Sequence, residues 1–247
     1  MVQPPFKLGS FCRLHGEVME RGLYIAAAGM LAEQARQDQI SQDLANSATS
    51  GYKPDRVAQR SFADTLLENS RTHQPIGKLG GGPQIGVVKT NFAQGPLQQT
   101  GSALDFAISG EGFFAVATTK GVRYTRDGSF QSNGSGQLVD QFGNPVLGTN
   151  GKPVKLSADG TVDASTVGCI SLTNPQKAGD GQYTGTAAGP GSGEVSSGVL
   201  EASGVDASHT MIEMMASLRA YEAGQKAISA IDQTLQMAAQ QAANVPA

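Results

Sequence analysis

Asp206–Gln241 reads DASHTMIEMMASLRAYEAGQKAISAIDQTLQMAAQQ, and Gly22–Asn46 reads GLYIAAAGMLAEQARQDQISQDLAN. Both stretches are poor in Gly and rich in Ala, Gln and Met, and both lack Pro. Everything between them is Gly-rich and strand-like. In the C-terminal stretch, Met211, Met214, Met215, Leu218, Tyr221, Ile228, Ile231 and Leu235 recur at helical spacing and form a broad apolar face. Asp206 or Ser208 is a suitable N-cap. About 36 helical residues would extend roughly 54 Å. A helix of that length gains most of its stability from packing, so it requires a partner surface.

In the N-terminal stretch, Leu23, Ala27, Met30, Gln34, Gln37, Ser41 and Leu44 follow alternating steps of four and three, with Ile25, Leu31 and Ile40 beside them. Gln stands where a strong coiled coil would carry Leu, so this seam gains little from self-packing alone. The helix is expected to start near Met19 or Glu20. It should stop before Gly51 and Pro54, since Gly takes the left-handed conformation and Pro cannot donate into a continuing helix.

Between the helices, Val57, Phe62, Leu66 and Leu67 are compatible with one face of a short second helix, and Gly77–Pro83 (GKLGGGP) reads as a break. From Ile85 to Leu200 short apolar runs alternate with turns. Asp105–Ala117 (DFAISGEGFFAVA) is two runs hinged at Gly110 and Gly112. Asp127-Gly128, within VRYTRDGSF, is a hairpin signal, and Gly143-Asn144-Pro145 is another turn. Val154–Leu156, Cys169–Leu172 and Val195–Leu200 are further strand candidates. Ala178–Gly193, almost all Gly, Ala, Thr and Pro, is expected to be a surface loop.

The chain has 247 residues, 18 basic and 21 acidic side chains and 32 glycines. A formal net charge of −3 without a basic cluster gives no reason to expect nucleic acid as a partner. Two cysteines, Cys12 and Cys169, in unlike contexts and without a CxxC motif, argue against a disulfide framework. No apolar run approaches the roughly 20 residues that span a bilayer, and Met1–Val18 lacks the apolar segment of a cleavable secretory signal.

Chemistry-bearing patterns are scarce. His15, His73 and His209 are scattered, no HExxH occurs, and no metal or cofactor site is expected. No G-x-S-x-G or P-loop occurs, and Gly110-Glu111-Gly112 lacks the third glycine of a dinucleotide fingerprint. Asp105, Glu111, Asp127, Asp140, Asp159 and Asp163 are numerous enough to pair as acid and base. Each, however, lies beside Gly, Ser or a turn, where carboxylates cap backbone groups. Arg123 and Arg126 flank Tyr124 and read as exposed strand charges.

Several blocks resemble the flagellar rod and hook family of axial proteins. Asp43-Leu44-Ala45-Asn46-Ser47-Ala48-Thr49-Ser50-Gly51-Tyr52-Lys53 is similar to that family's LANxxTxGYK signature. Leu104–Ile108 with Gly110–Phe114 resembles LDxAIxGxGFF, and Tyr124–Phe130 is similar to YTRDGSF. Leu200-Glu201-Ala202-Ser203-Gly204-Val205-Asp206 and Arg219-Ala220-Tyr221-Glu222 resemble LExSNVD and RAYE, with Gly204 where the family has Asn. The short middle, without the large extra domain of hook proteins, favours a rod component, distal or proximal.

The resemblance implies export through the flagellar type III apparatus, placement in the basal body within the cell envelope, and helical stacking with both terminal helices lining the inner tube. The partners would be further copies of the chain and other rod and hook axial proteins, with no nucleic acid and no integral membrane segment. The expected fold is α+β, an irregular β-rich centre flanked by long helices that pack together as a coiled-coil-like axial segment. Its divisions would be 1–18 (a disordered extension or misassigned start), 19–53 (axial helix), 54–84 (connector), 85–203 (β-rich domain) and 204–247 (axial helix). The expected subunit interface comprises Leu23, Ala27, Met30, Ile40, Leu44 and Asn46, with Met211, Met214, Met215, Leu218, Tyr221, Ile228, Ile231 and Leu235. A secreted β-rich glycan-active enzyme and a surface adhesin are the alternatives.

Overall fold

The computed structural model describes residues 8–61, 65–68, 75–79, 83–157 and 159–243. Two long helices flank a β-rich middle, an α+β architecture. Helix α1 covers Leu8–Ala45. Strands follow as β1 (Asp55–Ser61), β2 (Thr65–Glu68), β3 (Pro75–Leu79), β4 (Pro83–Thr90), β5 (Leu97–Gln99), β6 (Phe106–Ser109), β7 (Phe113–Thr118) and β8 (Gly121–Thr125). Then come β9 (Gln131–Ser132), β10 (Leu138–Val139), β11 (Val146–Leu147), β12 (Cys169–Gly179), β13 (Gln182–Pro190), β14 (Glu194–Ser197) and β15 (Val199–Glu201). Helix α2 covers Ala207–Ala243 and closes the order.

The sequence expectations for these elements need four corrections. Helix α1 starts at Leu8 rather than near Met19, and Leu8, Phe11, Leu14 and Val18 continue the helical spacing of apolar residues upstream. The short helix expected around Val57–Leu67 is instead β1 and β2, which pair with β4 and β3; Phe62 lies outside the described residues. Here a partner strand rich in β-branched residues (Val87, Val88, Thr90) overrides a weak helical pattern.

The third correction concerns Asp127-Gly128, which is not a hairpin turn. Phe106 N donates to Gly128 O at 3.0 Å, and a Cβ on Gly128 would lie 1.6 Å from Phe106 O. Glycine is required there for close approach between backbones. The fourth is Ala178–Gly193, which is no loop: β12 and β13 form a long antiparallel hairpin. Its tip is Asp180-Gly181, both with positive φ (53° and 68°), the backbone of a tight primed turn.

By backbone contacts the chain divides into two compact units. One contains Met1–Ser41, Val57–Lys89 and Met211–Ala247; the other contains Gln42–Arg56 and Thr90–Thr210.

In the first unit, α1 meets α2 with opposite chain direction. Ser217 Oγ donates to Glu33 Oε2 at 2.7 Å. A Cβ on Gly224 would lie 2.7 Å from Met30 Cγ, and one on Gly22 would lie 3.4 Å from Ile231 Cδ1. On α2 the half-buried or buried positions are Ala207, Thr210 and Glu213, then Met214, Ser217, Tyr221, Gly224, Ile228, Ile231 and Leu235, and from Met214 onward they alternate steps of three and four. Met211, Met215 and Leu218 are exposed. The broad apolar face read from the sequence is thus two stripes, one engaged and one open. On α1, Ala32 and Ile40 are buried, whereas Gln34, Ser41, Ile25 and Leu31 are exposed.

The second unit is built round a ring of four antiparallel strands. β7 pairs with β12, β12 with β13, β13 with β8, and β8 again with β7; β11 pairs with β7 at Ala115 and Val116, next along the strand from the β12 pairing at Phe113 and Phe114. Strand β7 explains the ring. Its run FFAVA is apolar at every position, and successive side chains point to opposite faces. Phe113 and Ala115 join Tyr124, Leu147 and Tyr183 in one cluster. Phe114 and Val116 join Phe106, Ile108, Phe130, Leu138 and the valines 146, 154, 162 and 167 in the other. Phe92 adds edge-on contacts to Phe113 and Tyr183, with centroids 5.8 and 5.5 Å apart.

Candidate functional site

The most polar buried place in the second unit lies where three distant segments meet. Segment one follows α1. There Asn46–Gly51 turns the chain, and Gly51 takes φ +67°. A Cβ on Gly51 would lie 2.4 Å from the carbonyl of Arg126, so only glycine fits. The turn delivers Tyr52 and Lys53 inward. Tyr52 Oη donates back to Asp43 Oδ1 at 2.8 Å, which ties the helix end to the turn.

Segment two is the end of β8. Its pleat puts Tyr124 in the ring cluster, and the bend after Thr125 turns Arg126 inward. Segment three is β15, which pairs with β5 and ends at Glu201.

Lys53, Arg126 and Glu201 are 1%, 4% and 1% exposed. Lys53 Nζ donates to Glu201 Oε1 at 2.5 Å and to Ala93 O at 2.8 Å. Arg126 Nη1 donates to Glu201 Oε2 at 3.2 Å, while its Nη2 donates to Gly110 O at 2.8 Å. Gly95 N donates to Glu201 Oε1 at 2.7 Å. Arg126 also lies over the Phe113 ring, 5.3 Å from its centroid. The main chain adds further ties: Gly51 N donates to Glu201 O at 2.8 Å, and Gly204 N donates to Tyr52 O at 3.0 Å.

Two cations therefore share one carboxylate out of water. Burial pushes the Lys53 ammonium below its ordinary pKa; Glu201 opposes that shift and Arg126 adds to it. Burial, then the Asp43 carboxylate, pushes the Tyr52 phenol well above its ordinary range. Burial raises Tyr183 as well, although the Lys53 backbone N–H opposes it. Every oxygen of Glu201 is engaged and Lys53 is held by two acceptors, while the buried Arg126 Nε has no hydrogen-bond partner. Its chemical capacity is to hold the segments following α1, β8 and β15 in one fixed geometry.

The sequence reading missed this site. Arg126 is buried rather than an exposed strand charge, and neither Lys53 nor Glu201 stood out. The available signal was that each lies inside one of the blocks quoted above, GYK, YTRDGSF and LEAS. Asp127 and Asp140 serve turns as expected, whereas Asp163, which precedes the short helical turn Ala164–Thr166, makes no side-chain cap hydrogen bond. Asp140 Oδ1 accepts from Phe142 N and Asn144 N at 2.9 and 2.8 Å, and Asp127 Oδ1 accepts from Ser129 N at 3.0 Å. Among the described residues no group of His, Cys, Asp and Glu has the arrangement of a metal site. Cys169 is a free thiol. Asp206 is the cap of α2, its Oδ1 accepting from Ser208 N and His209 N at 3.0 and 3.2 Å. No described helix is long and apolar enough to cross a membrane.

Comparison with known proteins gives the family. The flagellar hook protein FlgE/F/G D1 domain model matches residues 107–172, and the flagellar basal body rod FlgEFG protein C-terminal model matches 196–241. Arg126 falls in the first match and Glu201 in the second. The chain is 30% identical to the flagellar basal-body rod protein FlgG of Bacillus subtilis (strain 168) over 257 residues, covering 88% of this chain and 97% of that protein. It is 33% identical to the flagellar basal-body rod protein FlgF of Caulobacter vibrioides over 231 residues, covering 83% and 90% respectively. The flagellar hook-basal body complex protein FlhO of Bacillus subtilis (strain 168) is similar at 31% identity, with 90% and 98% covered. The chain belongs to the flagellar basal-body rod protein family.

Proposed function

We propose that the chain is a non-enzymatic subunit of the bacterial flagellar rod that polymerises helically through its terminal helices. In this reading it is exported through the flagellar type III apparatus and joins copies of itself and other rod and hook axial proteins. The helices finish folding as they assemble, and the repeated contacts make a shaft stiff enough to carry torque. The rod subunits named among its relatives support the structural role. Of the six carboxylates that a glycan-active enzyme would draw on, Asp105, Asp127 and Asp140 are occupied by hydrogen bonds to neighbouring groups, and the relatives lend that alternative no support.

One observation carries the proposal: the open stripe on α2. Met211, Ile212, Met215 and Leu218 are 51%, 59%, 52% and 44% exposed, while the opposite stripe of the same helix is engaged. On α1, Tyr24 and Leu31 are each 64% exposed. Large apolar groups concentrated on a helix face in this way mark a packing surface. Covering one leucine is worth roughly 1.5–3 kcal/mol, repeated at every subunit, and that gain offsets the entropy of ordering the helices. Met211, Met215 and Leu218 are then direct subunit contacts. Leu23, Ala27, Met30, Ile40, Leu44, Asn46, Met214, Tyr221, Ile228, Ile231 and Leu235 complete the proposed axial interface.

Leu218→Asp tests the reading, because a carboxylate forced into an apolar seam without a partner is costly. Cells carrying it are expected to export the protein but to lack rods and motility, and Leu23→Asp should do the same. Normal swimming with intact rods in Leu218→Asp cells would remove the helices as the assembly surface.

A further inference from the structure

A helix pair whose seam repeats every seven residues can slip by one repeat and still bury apolar surface, so its register needs a selector. Ala, Gln and Met dominate both helices, and such side chains adapt to more than one register. Two features of the first unit do not adapt. Ser217, 1% exposed, donates across the pair to Glu33 Oε2 at 2.7 Å and also reaches Glu33 O at 3.3 Å. One heptad further along α2, Gly224 is the sole glycine of that helix. A Cβ there would lie 2.7 Å from Met30 Cγ, so Met30 fills the space that the missing side chain leaves.

We infer that the Ser217–Glu33 hydrogen bond, with Met30 seated on Gly224, selects the antiparallel register of the terminal helices. A slip of seven residues would place Ser217 opposite Ala26 or Ile40, neither of which has a side-chain acceptor. It would also bring Met30 opposite Ser217 or Ile231, where a side chain occupies the space that Gly224 leaves open. Both features penalise the same slip in either direction, and they do so independently. A polar group buried in an apolar seam acts here as a specificity device, the best-attested use of such groups. Ser217 has a local alternative, the carbonyl one turn back in its own helix, so the discrimination comes from the pair of features and not from the hydroxyl alone. The inference concerns pairing within one chain and stands apart from the proposed polymerisation.

Cysteine cross-linking of the full-length monomer tests it. In a background with Cys12→Ser and Cys169→Ala, an in-register pair (Gly22→Cys with Ile231→Cys) is compared with pairs that a slip of seven residues would bring together (Gly22→Cys with Ala238→Cys, or Gly29→Cys with Ile231→Cys). The in-register pair is expected to close at least about tenfold faster, the scale set by one hydrogen bond to a charged group. Ser217→Leu with Glu33→Leu should bring the three rates within about threefold of one another while helical circular dichroism is kept. Glu33→Gln, which still accepts the bond, should preserve the preference. Equal rates in the parent, or an unchanged preference in the double Leu variant, would overturn the inference. Loss of helical signal in the double Leu variant would also overturn it, by making the pair a stabiliser instead of a selector. None of these outcomes bears on whether Leu218→Asp blocks rod formation.

Discussion

The two units solve the same problem with opposite means. The Thr90–Thr210 unit buries large side chains almost completely: Phe106, Phe114, Val116, Leu138 and Val146 are all at 0% exposure. Among the residues of the helical unit whose side chains are described, the buried hydrophobics are Ala32 and Ile40, at 3% and 5% exposure, while Tyr24, Leu31, Met211, Ile212, Met215 and Met237 are more than half exposed. The β unit also carries its own charge clamp. It is built to be finished alone, whereas the helical unit has apolar surface left over for a neighbour. Under the proposed assembly, that division would place rigidity in the β unit and adhesiveness in the helices.

The comparison breaks most sharply at Glu201. Glu201→Ala leaves Lys53 and Arg126 buried together without their shared carboxylate. Removing one member of a buried ionic group costs about 3–5 kcal/mol. The β unit's thermal transition should fall accordingly, with little change in helical signal from α1 and α2. A loss under about 1 kcal/mol would mean that the clamp is not what joins the three segments.

Alkaline pH gives the next largest effect and again singles out the β unit. Tyr52 and Tyr183 have folded-state pKa values raised above the ordinary 10.0. Their contribution is complete below pH 10 and is lost as pH rises beyond it, because only the unfolded chain releases those protons easily. Each adds a slope of up to about 1.4 kcal/mol per pH unit. Lys53 acts in the other direction: its folded-state value is lowered from 10.5, so its contribution improves as pH approaches 10.5 and is constant above. Unfolding followed by tyrosine absorbance should therefore steepen above about pH 10.5, and Tyr183→Phe should flatten it. A Tyr183→Phe profile that overlays the parent would show that the phenol is not sealed in the ring.

Much of this division is legible in the sequence, for identifiable reasons. Helices α1 and α2 announce themselves by periodicity, and the turn at Gly51 by residue type; the turn expected at Gly143-Asn144-Pro145 closes slightly earlier, with Gly143 N donating to Asp140 O. The continuous run Phe113–Ala117 identifies a strand buried on both faces. Local rules fail where a distant partner decides. Asp127-Gly128 has hairpin chemistry, but its glycine serves the approach to Phe106 O, and the primed turn is at Asp180-Gly181 instead. The expected loop at Ala178–Gly193 is a strand because β12 supplies its hydrogen bonds, although most of its side chains are exposed as composition suggested. The clamp is hidden for a related reason. No local pattern distinguishes Lys53, Arg126 or Glu201 from surface charges, since the three are brought together over 148 residues of chain.

The smallest effect sharpens the boundary between the regimes. Asp206 belongs to the β unit's stretch of chain yet caps α2, accepting from Ser208 N and His209 N. Asp206→Ala removes an acceptor that satisfies orphan donors of the first turn, and also a negative charge at the positive end of the helix. The cost is about 1 kcal/mol. If α2 is marginal before assembly, even that should reduce helical circular dichroism of the monomer visibly and speed amide exchange over Ser208–Met215. The thermal transition of the β unit should stay within about 0.5 kcal/mol of the parent, the usual range for a surface substitution. A matching shift in both signals would show that α2 and the β unit unfold as one cooperative body, and that the helix is not the adaptable part of the subunit.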